Sequence, residues 1–329
     1  MVPIPGESRA GQGHNREDDR NGDQDDMEQD TEDAEFPFDE KLLGRIFPAL
    51  CNLWLIVHKA RWIYYSVDES PPASLRTSLV EFAYRELIAW AEALPPDLLR
   101  RDQAPHYVTV FQYVFSDRFS LRWVHVVYVL TNHSIWLHTA ILDIWQPFVY
   151  REIHEVPVLR TFSAKVRTSD AAYTASVNQL KHLIVEYRSR YAASTYSILW
   201  HNGLIYLANA MLRCTDPEWR LYLLLCIYGY ERLNRAYRFS EVVIQGLLTM
   251  SMRDANMSGS EAYKIMEELR NRGLLHVEED VQKKLRATFM IDLNLALTDP
   301  EAARAETMAK DFDETAMFQD LIDLDSMQT

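Results

Sequence analysis

Glycine is scarce in this chain, 10 residues in 329, and stretches of alternating polar and apolar residues are almost absent. Half-buried strands need that alternation and tight hairpins need glycine, so a sheet-based architecture is excluded. Cysteine is scarcer still. Cys51, Cys214 and Cys226 contain no C-x-x-C pair and cannot build a disulfide framework. No apolar run reaches the roughly 18–20 residues that a membrane helix requires. The most apolar stretch, LYLLLCIYGY at 221–230, reads as core, and no membrane partner is expected. The polar start MVPIPGESRAGQGHNRED has no signal-peptide pattern, so an intracellular, reducing compartment is the expectation.

Motifs that carry chemistry are missing as well. No G-x-S-x-G occurs, and Gly11 and Gly13 stand in a polar tail with no strand before them, which excludes a phosphate loop. His133 and His138 are five apart, about 140° around a helix, and do not share a face. His125 fits His133 worse, and Asp143 is equally out of phase with His138. Cys214 and Cys226 lack a histidine at motif spacing and read as buried thiols. Acidic pairs such as Asp25-Asp26 fall in tails where nothing can shift a carboxyl pKa for acid–base work. No catalytic, cofactor-binding or metal-binding residue is assigned, and the expectation is a protein that is not an enzyme.

What the chain has in quantity is acid at its ends and aromatic helices between them. The net charge is -14. Residues 1–40 hold 14 acids and 3 Lys/Arg, and residues 299–329 hold 9 acids and 2 bases. The middle, 41–298, is therefore left with 25 acids and 29 bases, a balance of +4. So small a surplus over so long a stretch is no footprint for nucleic acid. Residues 1–38 read as a disordered acidic tail, 39–298 as a helical domain and 299–329 as an acidic amphipathic segment.

Within the middle, Leu43, Ile46, Leu50, Leu53, Trp54, Val57 and Trp62 recur at helical spacing after Asp39, a candidate N-cap, with Pro48 as a break. SVDESPPASLRT reads as a linker. Ser78 and Glu81 form a candidate capping box for a helix burying Val80, Ala83, Leu87, Trp90, Ala91 and Leu94, stopped at Pro95-Pro96. IWLHTAILDIW at 135–145, segments near 170–191 and 197–213, and a helix opened by Asp216 and Pro217 follow. Ser258 and Glu261 cap the helix of SGSEAYKIMEELRNRG, which ends at Gly273, and a second DPE at 299–301 opens the last helix. The fold class is all-α: a multi-helix layered domain between disordered acidic termini. SEAYKIMEELRNRGLL resembles the recognition-helix end of a winged helix, with Arg270 and Arg272 toward phosphates. The charged, helical HVEEDVQKKLRATFM that follows cannot supply a wing, so a capped surface helix is expected.

Three stretches together resemble the regulatory (middle homology) region of fungal zinc-cluster transcription factors. LIAWAEALPPDLLR (87–100) is similar to that region's helix–LPP–L segment. WLHTAILDIWQPF (136–148) is similar to its signature helix ending in RPF, with Gln146 in place of the usual Arg. Residues 223–273 and FMIDLNLALTDPEAARAETMAKDFDETAMF resemble the C-terminal part of the same proteins, closest to the nitrate-assimilation activator type. The resemblance spans about residues 41–320. It implies a fungal-specific transcription factor domain, a nuclear location, transcription regulation in nitrogen assimilation, and partners that are coactivators or other regulatory proteins. The family's six-cysteine zinc cluster cannot be built from three scattered cysteines, so zinc belongs only to a missing upstream cluster. DNA would be reached only through a missing or partner DNA-binding domain. Residues 113–134 lengthen a connection that is shorter in the resembling proteins. Gln112-Tyr113-Val114, Leu130-Thr131 and His133-Ser134 can encode the donor, branch and acceptor borders of a retained in-frame intron.

The last stretch, DFDETAMFQDLIDLDSM, sets large apolar side chains among carboxylates. In a helix, Met317, Leu321 and Leu324 fall at i, i+4 and i+7 with Phe318 and Ile322 alongside. That is the anchor spacing of helices that fold into a partner's groove. Phe312, Met317, Phe318, Leu321, Ile322 and Leu324 are the expected partner-binding residues, in an activator acting through protein contacts. A second reading is a helical small-molecule-sensing domain, lined by some of the chain's 17 Tyr, 13 Phe and 8 Trp, whose ligand alters the availability of the tails.

Overall fold

A computed structural model describes residues 40–65, 73–94, 135–149, 168–213, 216–272 and 287–326. The N-terminal tail, the 113–134 stretch, Cys214, His125, His133 and Gly273 lie outside them. Among the described residues there are ten α-helices: α1 Glu40–Tyr65, α2 Ala73–Glu92, α3 Ile135–Val149, α4 Ser169–Arg190, α5 His201–Arg213, α6 Trp219–Leu233, α7 Ser240–Asp254, α8 Gly259–Asn271, α9 Ala305–Lys310 and α10 Phe312–Ser326. Short 3-10 turns at Ala192–Thr195, Ile198–Trp200 and Leu295–Leu297 join them. The described part has no sheet, only an isolated antiparallel bridge between Met290 and Arg304. The all-α reading holds, and no helix of this part is long and apolar enough to cross a membrane.

The core runs along α4 to α7, where the sequence is apolar on more than one face. In α6, Leu223, Leu225, Cys226, Ile227 and Tyr230 are all buried, and α7 is walled in at Val243, Ile244, Leu247, Leu248, Met250 and Met252. A helix buried all round must be covered from every side, and α5, α8 and α9 supply the cover. Trp200, Tyr187 and Trp145 are the largest side chains fully enclosed, and Tyr187 packs its ring on Trp200 at 5.3 Å. Lys181 of α4 pairs with Asp216 before α6, so a buried ammonium is not left alone. Cys226 sits inside this core, and burial drives its thiol well up from the ordinary range. It is an inert packing residue, as its surroundings in the sequence indicated.

Several boundaries differ from the sequence expectation. α2 starts at Ala73, inside the presumed linker, so Ser78 lies within the helix rather than at its cap. Pro48, expected as a break, stands inside α1 without ending it. α6 begins at Trp219, where Asp216 accepts the Glu218 N–H at 2.8 Å and shapes the turn ahead of the helix. Ser258 does cap α8, accepting from Glu261 N at 3.2 Å. Arg270 of α8 faces Glu241, and Arg272 just past the helix end faces Glu268, rather than standing free. The DPE at 299–301 forms a turn, with Asp299 accepting from Ala302 N, and α9 opens only at Ala305.

The segment from Ala287 to Arg304 is the main non-helical piece among the described residues. Its two ends pair with each other: Ile291 N–H donates to Ala303 O (2.9 Å), Ala305 N–H to Phe289 O (3.1 Å) and Glu306 N–H to Ala287 O (3.3 Å). Asn209 of α5 holds it from inside, donating to Ile291 O at 2.7 Å and accepting from Leu293 N at 3.0 Å. Asp292, fully buried, is neutralised by Arg253 of α7.

Candidate functional site

α3 carries the most apolar sequence among the helices, yet Thr139, Asp143 and Gln146 recur on it at i, i+4 and i+7. Together with Trp136 and Ala140 they form one stripe, which faces a cavity of about 670 Å³ rather than the core. α1 supplies the opposite wall with Trp54, Val57, His58, Arg61 and Trp62, and α5 the floor with His201, Ile205 and Tyr206. Phe289, Met290, Leu293 and Ala296 from the 287–304 segment close it. The volume lies within the roughly 300–1,000 Å³ of sites that bury a drug-sized ligand.

The polar groups of this cavity are few and placed. Tyr206 donates its hydroxyl to Asp143 Oδ1 at 2.6 Å, and Arg61 Nε lies 3.5 Å from Asp143 Oδ2. Burial raises the Asp143 carboxyl above its usual range, and the Arg61 charge and the Tyr206 hydrogen bond oppose that rise. His201 is held down to about 4 by burial and is neutral at physiological pH. Its Nδ1 meets the Tyr230 hydroxyl at 2.9 Å, and its ring lies edge-on to Phe289 at 4.9 Å. Trp136 donates to Leu199 O at 2.7 Å, which fixes its indole against Trp54, 5.8 Å away and nearly perpendicular. Gln146 is the exception: 6 % exposed, its amide nitrogen has no hydrogen-bond partner among the described residues. A buried amide donor left unmade costs on the order of 1–3 kcal/mol, so its retention on the cavity wall needs a reason.

Trp54 and Trp62 were expected on the buried face of α1. Ile46, Leu53, Val57 and Ala60 are that face, whereas Trp54 and Trp62 are 47 % and 65 % exposed at the mouth of the cavity. No group of three or more metal-ligating side chains occurs among the described residues. His138 is buried on the core side of α3, out of the cavity.

The C-terminal residues expected to bind a partner are divided. Phe312 is 3 % exposed, its ring against Tyr263 at 5.4 Å, so it belongs to the protein's own core and is withdrawn as an anchor. The periodicity misled because Phe312 and Ala316 form the docked face of α10 on α7 and α8. Met317 and Phe318, next around the helix, are 68 % and 65 % exposed. Leu321, Ile322 and Leu324 are on α10, and their side chains lie outside the described ones. Carboxylates hold α10 down: Asp313 accepts the Tyr263 hydroxyl and Asp320 accepts the Ser260 N–H, both at 2.9 Å. Asp320 thereby places a negative charge on the positive end of α8.

The second reading from sequence, an aromatic-lined small-molecule domain, named none of these wall residues. Their one legible signal is the in-phase Thr139, Asp143 and Gln146 on an otherwise apolar helix. Comparison with known proteins finds no matching family model, no matching curated protein and no matching solved structure.

Proposed function

We propose that this chain is the regulatory and activation part of a transcription regulator, in which a small molecule taken into the cavity governs a display helix, α10. The carrying observation is continuity. The 287–304 segment forms one wall of the cavity and hydrogen-bonds across to the first turn of α9, which leads directly into α10. Thr249 of α7 donates to Met308 O at 3.0 Å, so α9 moves only if its seat on α7 changes. A ligand pressing on Phe289, Met290 or Leu293 therefore has a short covalent path to the helix that holds Met317 and Phe318 in solvent. A ligand that prefers one arrangement of that segment biases the equilibrium by its differential affinity and no more.

The resemblance to fungal zinc-cluster regulators supplies the biological setting: a nuclear protein whose DNA contact is made by another domain or a partner. The exposed Met317 and Phe318 among Asp313, Glu314 and Asp320 suit a coactivator groove that is apolar within and basic at its rim. The reading is non-catalytic. Asp143, the one buried carboxylate of the cavity, is engaged on one oxygen by Tyr206 and faces Arg61 with the other, an arrangement that holds a charge in place.

The test is a fusion of the whole chain to a foreign DNA-binding domain beside a reporter gene. Reporter output is expected, falling several-fold when Met317 and Phe318 are both replaced by Ser. A silent native fusion, or a double variant as active as the native one, overturns the proposal.

A further inference from the structure

We infer that the cavity takes a neutral, planar, fused-ring molecule with a lactam edge, a ring N–H beside a carbonyl, read by Asp143 and Gln146. This rests on the cavity being a small-molecule site. Four observations carry it.

The walls are aromatic: Trp54, Trp62, Trp136, Tyr206 and Phe289 converge on one volume, which favours a flat ring system that can be stacked and edge-packed at once. Gln146 stands on the cavity wall with an amide nitrogen that is unpartnered and almost without accessible surface, so a turn of its side chain brings into the cavity a donor that lacks an acceptor. A carbonyl oxygen supplies one. Asp143 stands three residues earlier, on the same stripe of α3 and one helical turn away. Its Oδ1 takes the Tyr206 hydroxyl, while Oδ2 faces Arg61 at 3.5 Å and keeps lone-pair capacity for a ligand N–H. An acceptor wanted at one position and a donor accepted at its neighbour is the complement of a lactam.

Charge then narrows the class. A cationic ligand would meet Arg61, and an anionic one would meet Asp143. The two side chains cancel each other inside a wall that is otherwise apolar, so a neutral guest is the one that leaves no buried charge uncompensated. Finally, Trp54 and Trp62 are large, exposed and at the mouth, where a flat guest would cover them.

The experiment is calorimetric titration of the full chain with four probes of similar size. These are quinolin-2(1H)-one, its N-methyl derivative, naphthalene and the anion 1-naphthoate. Quinolin-2(1H)-one is expected to bind tightest, with N-methylation weakening it roughly tenfold by removing the donor to Asp143. Gln146→Leu should weaken both quinolinones by roughly tenfold and leave naphthalene unchanged. Gln146→Glu, which keeps the shape and turns the donor into an acceptor, should do the same. Ala140→Trp, which fills the cavity, should abolish all four, and thermal unfolding checks that each variant is folded.

Naphthalene or 1-naphthoate binding as tightly as quinolin-2(1H)-one overturns the lactam assignment, as does a Gln146 effect equal for all probes. In those cases loss of binding in Ala140→Trp keeps the cavity as a ligand site. Absence of binding by every probe overturns the inference outright, while the reporter fusion separately decides the display role of α10.

Discussion

The two ends of the molecule treat their polar groups in opposite ways. Where α10 meets α8, contacts are completed: Asp313 with Tyr263, Asp320 with the Ser260 N–H, and the backbone of Ala316 laid directly on Gly259. Where α1, α3 and α5 meet, a volume is left open, Gln146 is unpaired and two tryptophans stand in solvent. The difference teaches that the acidic C-terminal helix is seated by its own carboxylates. The aromatic end, which looks more like core in the sequence, is the part that keeps an open volume.

The largest expected effect separates the two ends by pH. His201 at the cavity has a folded pKa of about 4 against about 6.5 when unfolded, so the unfolded chain binds the proton first as pH falls. Its contribution is complete above about pH 6.5, is lost as pH drops toward 4, and amounts to about 3 kcal/mol. Asp143, raised by burial, works in the opposite sense. The difference between native chain and His201→Phe in urea unfolding at pH 4 to 7 therefore isolates the histidine, and the variant's curve should be the flatter. A variant as steep as the native chain would place the proton uptake elsewhere.

At the other end, Gly259→Val drives a side chain into the Ala316 carbonyl, and backbone cannot yield as a side-chain tip can. A loss of about 2 kcal/mol is expected, with proteolysis entering at α10 before the rest of the chain. Unchanged stability would mean that α10 is not seated on α8. The smallest effect belongs to Asp320→Ala. It removes the charge at the α8 N-terminus for about 1 kcal/mol, diminishing in high salt if the helix dipole is the cause.

How much of this was legible in the sequence depended on whether the signal was local. Ser258 with Glu261 announced the start of α8 because a cap is made within one turn. The apolar face of α2 announced itself by period, and the interior of α6 by the unbroken apolar run at 221–230. Ser78 failed as a cap because a helix can run through a serine when its tertiary neighbours hold it. Phe312 and Phe318 are the same residue type, yet one is buried and the other exposed. Only the neighbours Tyr263 and Gly259, fifty or so positions away in the chain, decide which is buried. The cavity was illegible for the same reason: Arg61, Asp143 and Tyr206 become one group only when three helices meet.

The paired ends of the 287–304 segment have a consequence for variation. Residues 294–300 form a tip whose base is fastened by Asn209, Arg253 and the cross-pairing at Met290 and Arg304. Substitutions at Ala296 or Pro300 can thus reshape what the pocket admits while the ten helices keep their places, because the fastening sits below the altered residues. Seven consecutive residues can change the shape of one cavity wall without touching its fastening.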